Sequence, residues 1–316
     1  MMKNRIAAVQ AEIQKVVLGK NEVIEKVLMA ILSNGHVLLE DVPGVGKTTL
    51  ALSFARVLGL ETRRVQFTPD TLPSDIIGFS VYDQRSGELS YKKGAIMTNL
   101  LLADEINRTS SKTQSALLEA MEEHKVSIDG FTHILPNPFV VLATQNPLGS
   151  SGTQALPNSQ LDRFMVKLSM GYPDMESQLD IMKDRHHENP LDKVSAVTSI
   201  DEVLKLIAAA ERVYVADGVY VYVSELVEET RRHPLIQLGI SPRGALALCR
   251  AAKAYALIRG RDFVVPEDVR DVFADVCSHR LVLHAKARLH EMDERKLLEE
   301  IFAKVDMPTH KKFNIG

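Results

Sequence analysis

Segment 38–50 constrains the fold more than any other part of the sequence. An apolar run that includes Leu38 and Leu39 leads into Pro43-Gly44-Val45-Gly46-Lys47-Thr48, and apolar residues then recur at helical spacing. This order of strand, glycine-containing loop, Gly-Lys-Thr and helix is typical of a phosphate-binding loop. Glycines let backbone N–H groups approach phosphate oxygens, and the positive end of the following helix dipole adds to the attraction.

Each residue of this loop has an expected role. The predicted nucleotide-binding residues are Pro43, Gly44, Val45, Gly46, Lys47, Thr48 and Thr49. Lys47 is expected to neutralise charge on the β- and γ-phosphates of ATP, and the Thr48 hydroxyl to bind Mg²⁺. Asp41 stands where the general pattern has its first glycine, so the match has one departure.

A second motif indicates hydrolysis. The apolar run 100–103 ends in Asp104-Glu105. A strand there places both carboxylates at its carboxyl end, beside the loop of a neighbouring strand. We expect Asp104 to hold Mg²⁺ through water and Glu105 to polarise the attacking water as a general base. Capping of a turn or helix is the plainer alternative for two adjacent carboxylates.

Short apolar runs and helical periodicity alternate in the first half of the chain. Strands of a parallel sheet, buried on both faces, are predicted at 36–40, 64–67, 100–104 and 139–144. Crossover helices are predicted at 48–58 and 111–123. Two β-hairpins are predicted, at 79–91 around Ser86-Gly87 and at 125–135 around Asp129-Gly130.

The second half of the chain has mostly helical periodicity. A helix at 174–187 is predicted to end before Asn189-Pro190, where we place a domain boundary. Further helices are predicted at 200–213, 219–233, 243–259, 266–279 and 292–305. Residues 219–223 are ambiguous, because Val and Tyr favour strands. The predicted class is α/β, with a core at 1–190 whose parallel sheet is flanked by helices, followed by an all-α domain at 191–316.

Composition narrows the class of protein. A chain of 316 residues that is 45% hydrophobic accommodates roughly two domains. The net charge of -3 provides no global basic field for nucleic acid or an acidic membrane. Cys249 and Cys277 lie far apart and lack metal-ligand spacing, which indicates a reducing compartment. Since no run of about 18 apolar residues occurs, we expect a cytoplasmic protein without direct membrane insertion.

Five segments together resemble the AAA+ ATPases, and within them the MoxR family. They are 39–48, 102–108, 143–147, 160–164 and 241–243. The resemblance covers nearly the whole chain and accommodates Asp41 in the phosphate loop. It implies an AAA+ core with a helix-2-type hairpin insert near 79–91, a helical lid after residue 190, and ATP and Mg²⁺ as cofactors.

The resemblance also implies three further catalytic residues. Asn146 matches sensor 1, which positions water and reads the γ-phosphate. Arg163 matches the arginine finger, which reaches the nucleotide of a neighbouring subunit; a local ion pair with Asp162 is its plainer alternative. Arg243 matches sensor 2, expected to sense the γ-phosphate from the lid.

The sequence around Arg243 supports an anionic partner independently. Ser241-Pro242 predicts an N-cap and the first turn of a helix. A cation in that turn opposes the helix dipole, so a triphosphate nearby would make the position favourable. A solvated arginine is the alternative.

Two basic features of the sequence each have two possible roles. Arg108 belongs to a motif of the resemblance, but a role in trans and simple solvation at a helix start are equally compatible with its position. Arg85, Lys92 and Lys93 of the first hairpin would lie near a central pore or partner surface, or on a solvated hairpin tip.

The resemblance implies ATP hydrolysis that drives chaperone-like remodelling or maturation of partner proteins. A homo-oligomer, expected to be a hexameric ring, would act on a von Willebrand factor A domain protein or another client. The alternatives are an AAA+ motor on nucleic acid, which the acidic balance disfavours, and a metal-chelatase motor subunit. A small-molecule kinase and a nucleotide switch without turnover are further candidates. Nothing in the residues names the client.

Overall fold

The computed structural model describes residues 2–84, 87–146, 153–184 and 190–308. The helices are α1 (Met2–Gln14), α2 (Asn21–Leu32), α3 (Lys47–Val57), α4 (Pro73–Ile77), α5 (Ser111–Glu123), α6 (Asn158–Leu161), α7 (Met175–Asp184), α8 (Ile200–Glu211), α9 (Asp217–Arg232), α10 (Pro242–Ile258), α11 (Pro266–Cys277), α12 (Ala285–Leu289) and α13 (Glu294–Lys304). The strands are β1 (Val37–Glu40), β2 (Thr62–Gln66), β3 (Gly78–Asp83), β4 (Glu88–Lys93), β5 (Leu100–Asp104), β6 (Lys125–Ile128), β7 (Phe131–Ile134), β8 (Val140–Gln145), β9 (Val166–Leu168), β10 (Ile236–Leu238) and β11 (Val282–Leu283).

A parallel sheet with the strand order β2-β5-β8-β1-β9 organises the first half of the described chain. The inner strands β1, β5 and β8 are almost entirely buried, as their apolar runs predict. Strand β2 differs from its prediction, because it lies at the edge and its residues are only half-buried or exposed. Strand β9 completes the other edge and has no counterpart among the predicted strands.

Both predicted hairpins are present beside the sheet. Strands β3 and β4 pair antiparallel, as do β6 and β7. The second hairpin turns at Asp129 and Gly130, whose φ angles of 51° and 83° are those of a tight two-residue turn. In the first hairpin, Lys92 and Lys93 are exposed. Arg85 lies outside the described residues, so its expected place near a pore stays a prediction.

The C-terminal half is a helical domain that also contains a short antiparallel ribbon of β10 and β11. The ambiguous residues 219–223 belong to helix α9. Its buried residues recur at helical spacing, so tertiary packing overrides the strand preference of valine and tyrosine. They are Val219, Tyr222, Val223, Leu226, Val227 and Thr230.

Two apolar clusters cover the two faces of the sheet. Alternate residues of the inner strands point to opposite faces, so Leu39 joins one cluster and Leu38 the other. The first cluster is continuous from α1 and α2 into the C-terminal helices, because α2 packs against both α8 and α10. The domain boundary near residue 190 stays a prediction, because residues 185–189 lie outside the described part.

Truncation of a residue in this shared cluster tests the continuity. Leu28 of α2 is 1% exposed, and we expect Leu28→Ala to lower the free energy of unfolding by about 2–5 kcal/mol. Leu246 of α10 is 66% exposed, so Leu246→Ala should change it by less than about 0.5 kcal/mol. Denaturant unfolding of dilute protein, followed by probes in both halves, should show both halves shifting together in Leu28→Ala. Separate shifts would contradict a shared core.

Candidate nucleotide-binding and catalytic site

The predicted phosphate loop joins β1, which ends at Glu40, to α3, which begins at Lys47. Gly44 and Gly46 have φ angles of +88° and +95°, which other residues rarely adopt. A Cβ atom on Gly44 would contact nothing within 4 Å, so this position needs glycine for its conformation rather than for space. The loop therefore has the backbone form that lets N–H groups face an anion.

Lys47 lies inside this loop. Its Nζ donates hydrogen bonds to the carbonyl oxygens of Asp41 at 2.5 Å and Val42 at 3.1 Å. Burial lowers the pKa of Lys47, while the charges of Asp41, Asp104 and Glu105 act in the opposite direction. An ammonium group held this way is complementary to phosphate oxygens, whose negative charge would offset the cost of burial.

Asp41 connects the phosphate loop to the chain that follows β9. Its carboxylate accepts hydrogen bonds from the N–H groups of Val42 at 2.9 Å and Gly171 at 2.6 Å, and from the Ser169 hydroxyl at 2.8 Å. Burial alone would raise the pKa of Asp41, but these hydrogen bonds outweigh it and lower the pKa. The aspartate that stands in place of the first glycine of the general pattern thus anchors the loop.

One hydroxyl group joins the two residues that carry the predicted carboxylates. Thr144, at the end of β8, donates to Asp104 Oδ1 at 2.7 Å and accepts from the Glu105 N–H at 2.9 Å. Asp104 Oδ2 lies 3.4 Å from the Thr48 hydroxyl. The carboxylate and hydroxyl oxygens are hard donors of the kind that Mg²⁺ prefers, so these residues fit the predicted metal. Arg64 of β2 donates to the same Oδ2 at 2.7 Å and was not predicted to belong to the site.

Glu105 is held by three side chains. Asn146 donates to Oε1 at 3.1 Å, while Arg108 and Gln66 donate to Oε2 at 2.8 and 2.9 Å. The hydrogen bond from Arg108 is the main cause of a lowered pKa of Glu105, and Asn146 acts in the same direction. Glu105 itself adopts φ 57°, a left-handed conformation that costs a non-glycine residue about 1–2 kcal/mol. The carboxylate is therefore ionised and fixed in direction.

A cleft of about 110 Å³ adjoins the phosphate loop. Its lining includes Val17, Leu18, Val45, Thr49, Met170 and Pro173. Segment 16–20, between α1 and α2, contributes much of this lining and was not predicted to be functional. Gly19 of this segment has φ +68°, and a Cβ atom there would lie 2.4 Å from the Ser177 hydroxyl oxygen. An apolar cleft beside a phosphate loop suits the base of a nucleotide.

Arg163 and Arg243 lie together at the amino end of the parallel strands, opposite to the end that carries the phosphate loop. Arg163 Nε is 2.8 Å from Glu122 Oε2, and Arg243 Nη1 donates to Glu122 Oε1 at 2.8 Å. Together with His36, they line a cavity of about 120 Å³. His36 comes just before β1, whereas the phosphate loop and Lys47 come after β1. The four residues of β1 span on the order of 13 Å, so Arg243 does not face the phosphate loop of its own chain.

The alternative of an Arg163–Asp162 ion pair is not what the structure contains. Asp162 instead binds Arg280, whose Nε lies 2.7 Å from Asp162 Oδ1. Arg280 is 6% exposed and also donates to the carbonyl oxygen of Phe164 at 2.7 Å. Arg280 thus fixes the backbone on either side of Arg163. No motif or spacing in the sequence marks it.

The start of helix α10 places Arg243. The Ser241 hydroxyl accepts the Gly244 N–H at 3.1 Å, so the predicted N-cap is present, with Pro242 in the first turn. A Cβ atom on Gly244 would lie 3.0 Å from Arg280 Cδ. The helix start and the segment around Arg163 are therefore packed against the same buried arginine.

Known proteins resemble this chain over almost its whole length. A model of the ATPase family associated with various cellular activities (AAA) matches residues 36–166, and a model of the AAA lid domain matches residues 228–301. Chaperone MoxR1 of Mycobacterium tuberculosis is 40% identical over 94% of this chain and 81% of its own. The chain belongs to the MoxR family of AAA+ ATPases.

Two further relatives agree with this membership. The uncharacterized protein YeaC of Bacillus subtilis is 45% identical over 95% of this MoxR-family chain and 93% of its own. A crystal structure from Cytophaga hutchinsonii, named as a candidate ATPase, superimposes with a TM-score of 0.89 at 39% identity. It covers 98% of this chain and 96% of its own. The predicted class, an AAA+ core with a parallel sheet followed by a helical lid, is confirmed.

Within residues 2–84, 87–146, 153–184 and 190–308 of this MoxR-family protein, no helix is long and apolar enough to cross a membrane.

The Arg108 contact gives the MoxR site a testable pH dependence. Because Arg108 lowers the pKa of Glu105, Arg108→Gln should raise that pKa and protonate Glu105 at a higher pH. The acidic limb of the pH profile of kcat/KM should then move to higher pH, as measured by phosphate release. Arg56→Gln, on the surface of α3, is the control and should leave the limb in place. An unmoved limb in Arg108→Gln would contradict the role of Glu105 as the base.

Proposed function

We propose that this MoxR-family protein hydrolyses ATP to ADP and phosphate and thereby drives remodelling or maturation of partner proteins. The observation that carries the proposal is the convergence of Lys47, Thr48, Asp104 and Glu105 at one edge of the parallel sheet. Ligands of such sheets bind at the carboxyl ends of the strands, and these four residues lie at the carboxyl ends of β1 and β5.

The residues divide the chemistry between them. Residues 43–49 bind the phosphates, and segment 16–20 covers the base. Thr48 and Asp104 would hold Mg²⁺, which supplies positive charge at the β- and γ-phosphates. Glu105, directed by Asn146, accepts a proton from the water that attacks the γ-phosphorus atom, and the leaving group is ADP.

The arginines act on a neighbouring subunit. Arg163 and Arg243 lie at the amino end of the strands, away from the phosphate loop of their own chain, and both contact the carboxylate of Glu122. Two such different faces meet when subunits associate head to tail, and a closed head-to-tail arrangement is a ring. The ring is proposed to be a hexamer in which Arg163 and Arg243 together reach the γ-phosphate of the next subunit. Arg243, the match to sensor 2, then acts in trans together with Arg163, the match to the arginine finger.

The client is proposed to be a protein. The name of the mycobacterial relative, chaperone MoxR1, supports this assignment. A von Willebrand factor A domain protein is the proposed partner class, and the cytoplasm the proposed location. The net charge of -3 gives no support to a motor that tracks nucleic acid.

Removal of the general base separates binding from turnover. Glu105→Gln should bind ATP with a Kd within about threefold of the parent protein, because the phosphate loop is unchanged. Its kcat should fall by roughly 10²-fold or more, the usual contribution of a positioned base. Calorimetry measures binding and phosphate release measures turnover. Glu119→Gln, an exposed carboxylate of α5, is the control, and undiminished hydrolysis in Glu105→Gln rejects the assignment.

Mixing variants tests catalysis in trans. Arg163→Ala and Arg243→Ala should each retain ATP binding and lose turnover, by roughly 10³-fold for the finger. Lys47→Ala should fail to bind ATP but still carry both arginines. When Arg163→Ala is mixed with Lys47→Ala, sites that pair an intact loop with intact arginines form, so turnover should recover in part. If mixed assemblies form and no activity returns, catalysis in trans is rejected.

A further inference from the structure

Glu122, the penultimate residue of α5, contacts both arginines of the proposed trans-acting pair. We infer that Glu122 is a positioning residue, which holds Arg163 and Arg243 as one unit for delivery to the neighbouring subunit's γ-phosphate. The inference rests on the proposed function, since it concerns how the arginine face is prepared. None of the five motif segments of the sequence includes Glu122.

The contact geometry favours positioning over blocking. Glu122 meets Arg163 through Nε, the guanidinium nitrogen nearest the main chain, and Arg243 through Nη1. The terminal nitrogens of Arg163 and Nη2 of Arg243 make no hydrogen bond with this carboxylate. The two side chains keep 25% and 41% of their surface exposed. The carboxylate therefore lies against both guanidinium groups and leaves them donors for an incoming phosphate.

The charges around the cavity explain why a carboxylate is needed there. Four guanidinium groups line it, and they belong to Arg163, Arg243, Arg250 and Arg280. The carboxylates in the lining are those of Glu122 and Asp162, so two positive charges are in excess when the histidines are neutral. Asp162 is already bound by Arg280. Without Glu122, the carboxylate left in this lining would be that of Asp162, which Arg280 already binds, and Arg163 and Arg243 would repel each other.

The same excess of charge suits a terminal phosphate. A γ-phosphate carries about two negative charges and oxygen acceptors that guanidinium groups bind well. With Glu122 in place, the arginine face is still net positive and can attract this group. Glu122 thus limits the repulsion between the arginines without cancelling the attraction for the substrate.

The chain provides a matched control one residue away. Glu123 belongs to the same helix end, is exposed, and lies 3.6 Å from Lys125 rather than from the arginines. Glu122→Gln and Glu123→Gln each remove one negative charge and keep the shape of the side chain. A general effect of charge on the assembly would therefore appear in both variants.

The first experiment is steady-state kinetics of ATP hydrolysis by the full chain. We expect Glu122→Gln to lower kcat at least tenfold, with KM and the Kd for ATP changed by less than threefold. Glu122→Asp, which keeps the charge on a shorter side chain, should recover part of the loss, and Glu123→Gln should behave as the parent protein. A kcat within twofold of the parent in Glu122→Gln, or an equal loss in Glu123→Gln, overturns the inference.

The second experiment assigns the defect to one side of the subunit interface. Glu122→Gln mixed with Lys47→Ala should regain turnover, because the Lys47→Ala subunits supply an intact arginine face. Glu122→Gln mixed with Arg163→Ala should regain none, because both variants are defective in that face. Rescue by Arg163→Ala, or no rescue by Lys47→Ala in assemblies shown to be mixed, overturns the inference.

The arginine variants separate this inference from the proposed function. If Arg163→Ala and Arg243→Ala keep full turnover, the proposed trans mechanism fails, and the role of Glu122 fails with it. If both lose turnover while Glu122→Gln keeps it, the positioning role alone is rejected. Thermal unfolding of each variant, with a Tm near that of the parent, confirms that kinetics are compared between folded proteins.

Discussion

The Thr144 hydroxyl is the contact on which the nucleotide site depends. It donates to the Asp104 carboxylate and accepts from the Glu105 N–H, so a single group on β8 orients the carboxylate proposed for the metal and fixes the main chain of the residue proposed to activate water. This arrangement requires β5 and β8 to be parallel neighbours that end at the same edge, as their register shows. The adjacent β1 brings the phosphate loop to the same edge. Catalytic geometry thus follows directly from strand order.

The amino end of the strands is rich in arginine, whereas the carboxyl end carries the phosphate loop and the two carboxylates. At the amino end, Glu122 near the end of helix α5 contacts the two arginines. Arg280 fixes the neighbouring backbone from the buried side. One chain therefore has a proposed phosphate-binding end and a cationic end that lie apart in the structure. Assembly is the physical route by which they would meet, which explains why activity and oligomerisation are expected to be coupled.

The sequence predicted features that depend on local patterns. The phosphate loop, the three inner strands and both hairpins follow from glycine positions, apolar runs and turn residues. Strand β9 was missed because three residues give too short a run, and edge strand β2 was predicted as too buried. Arg64, Glu122 and Arg280 were missed because their importance comes from partners more than 30 positions away in the chain. Arg243 was found by resemblance, but only the fold shows which edge it occupies.

The central claim is that one protomer binds the triphosphate while the next supplies both arginines. A cryo-electron microscopy structure of the Glu105→Gln protein assembled with ATP and Mg²⁺ measures this directly, through the distances from the guanidinium groups of Arg163 and Arg243 to each γ-phosphate. The account predicts that both groups lie within roughly 3 Å of the γ-phosphate oxygens of the adjacent protomer. It is contradicted if either arginine binds the nucleotide of its own chain, or if both remain remote from every nucleotide.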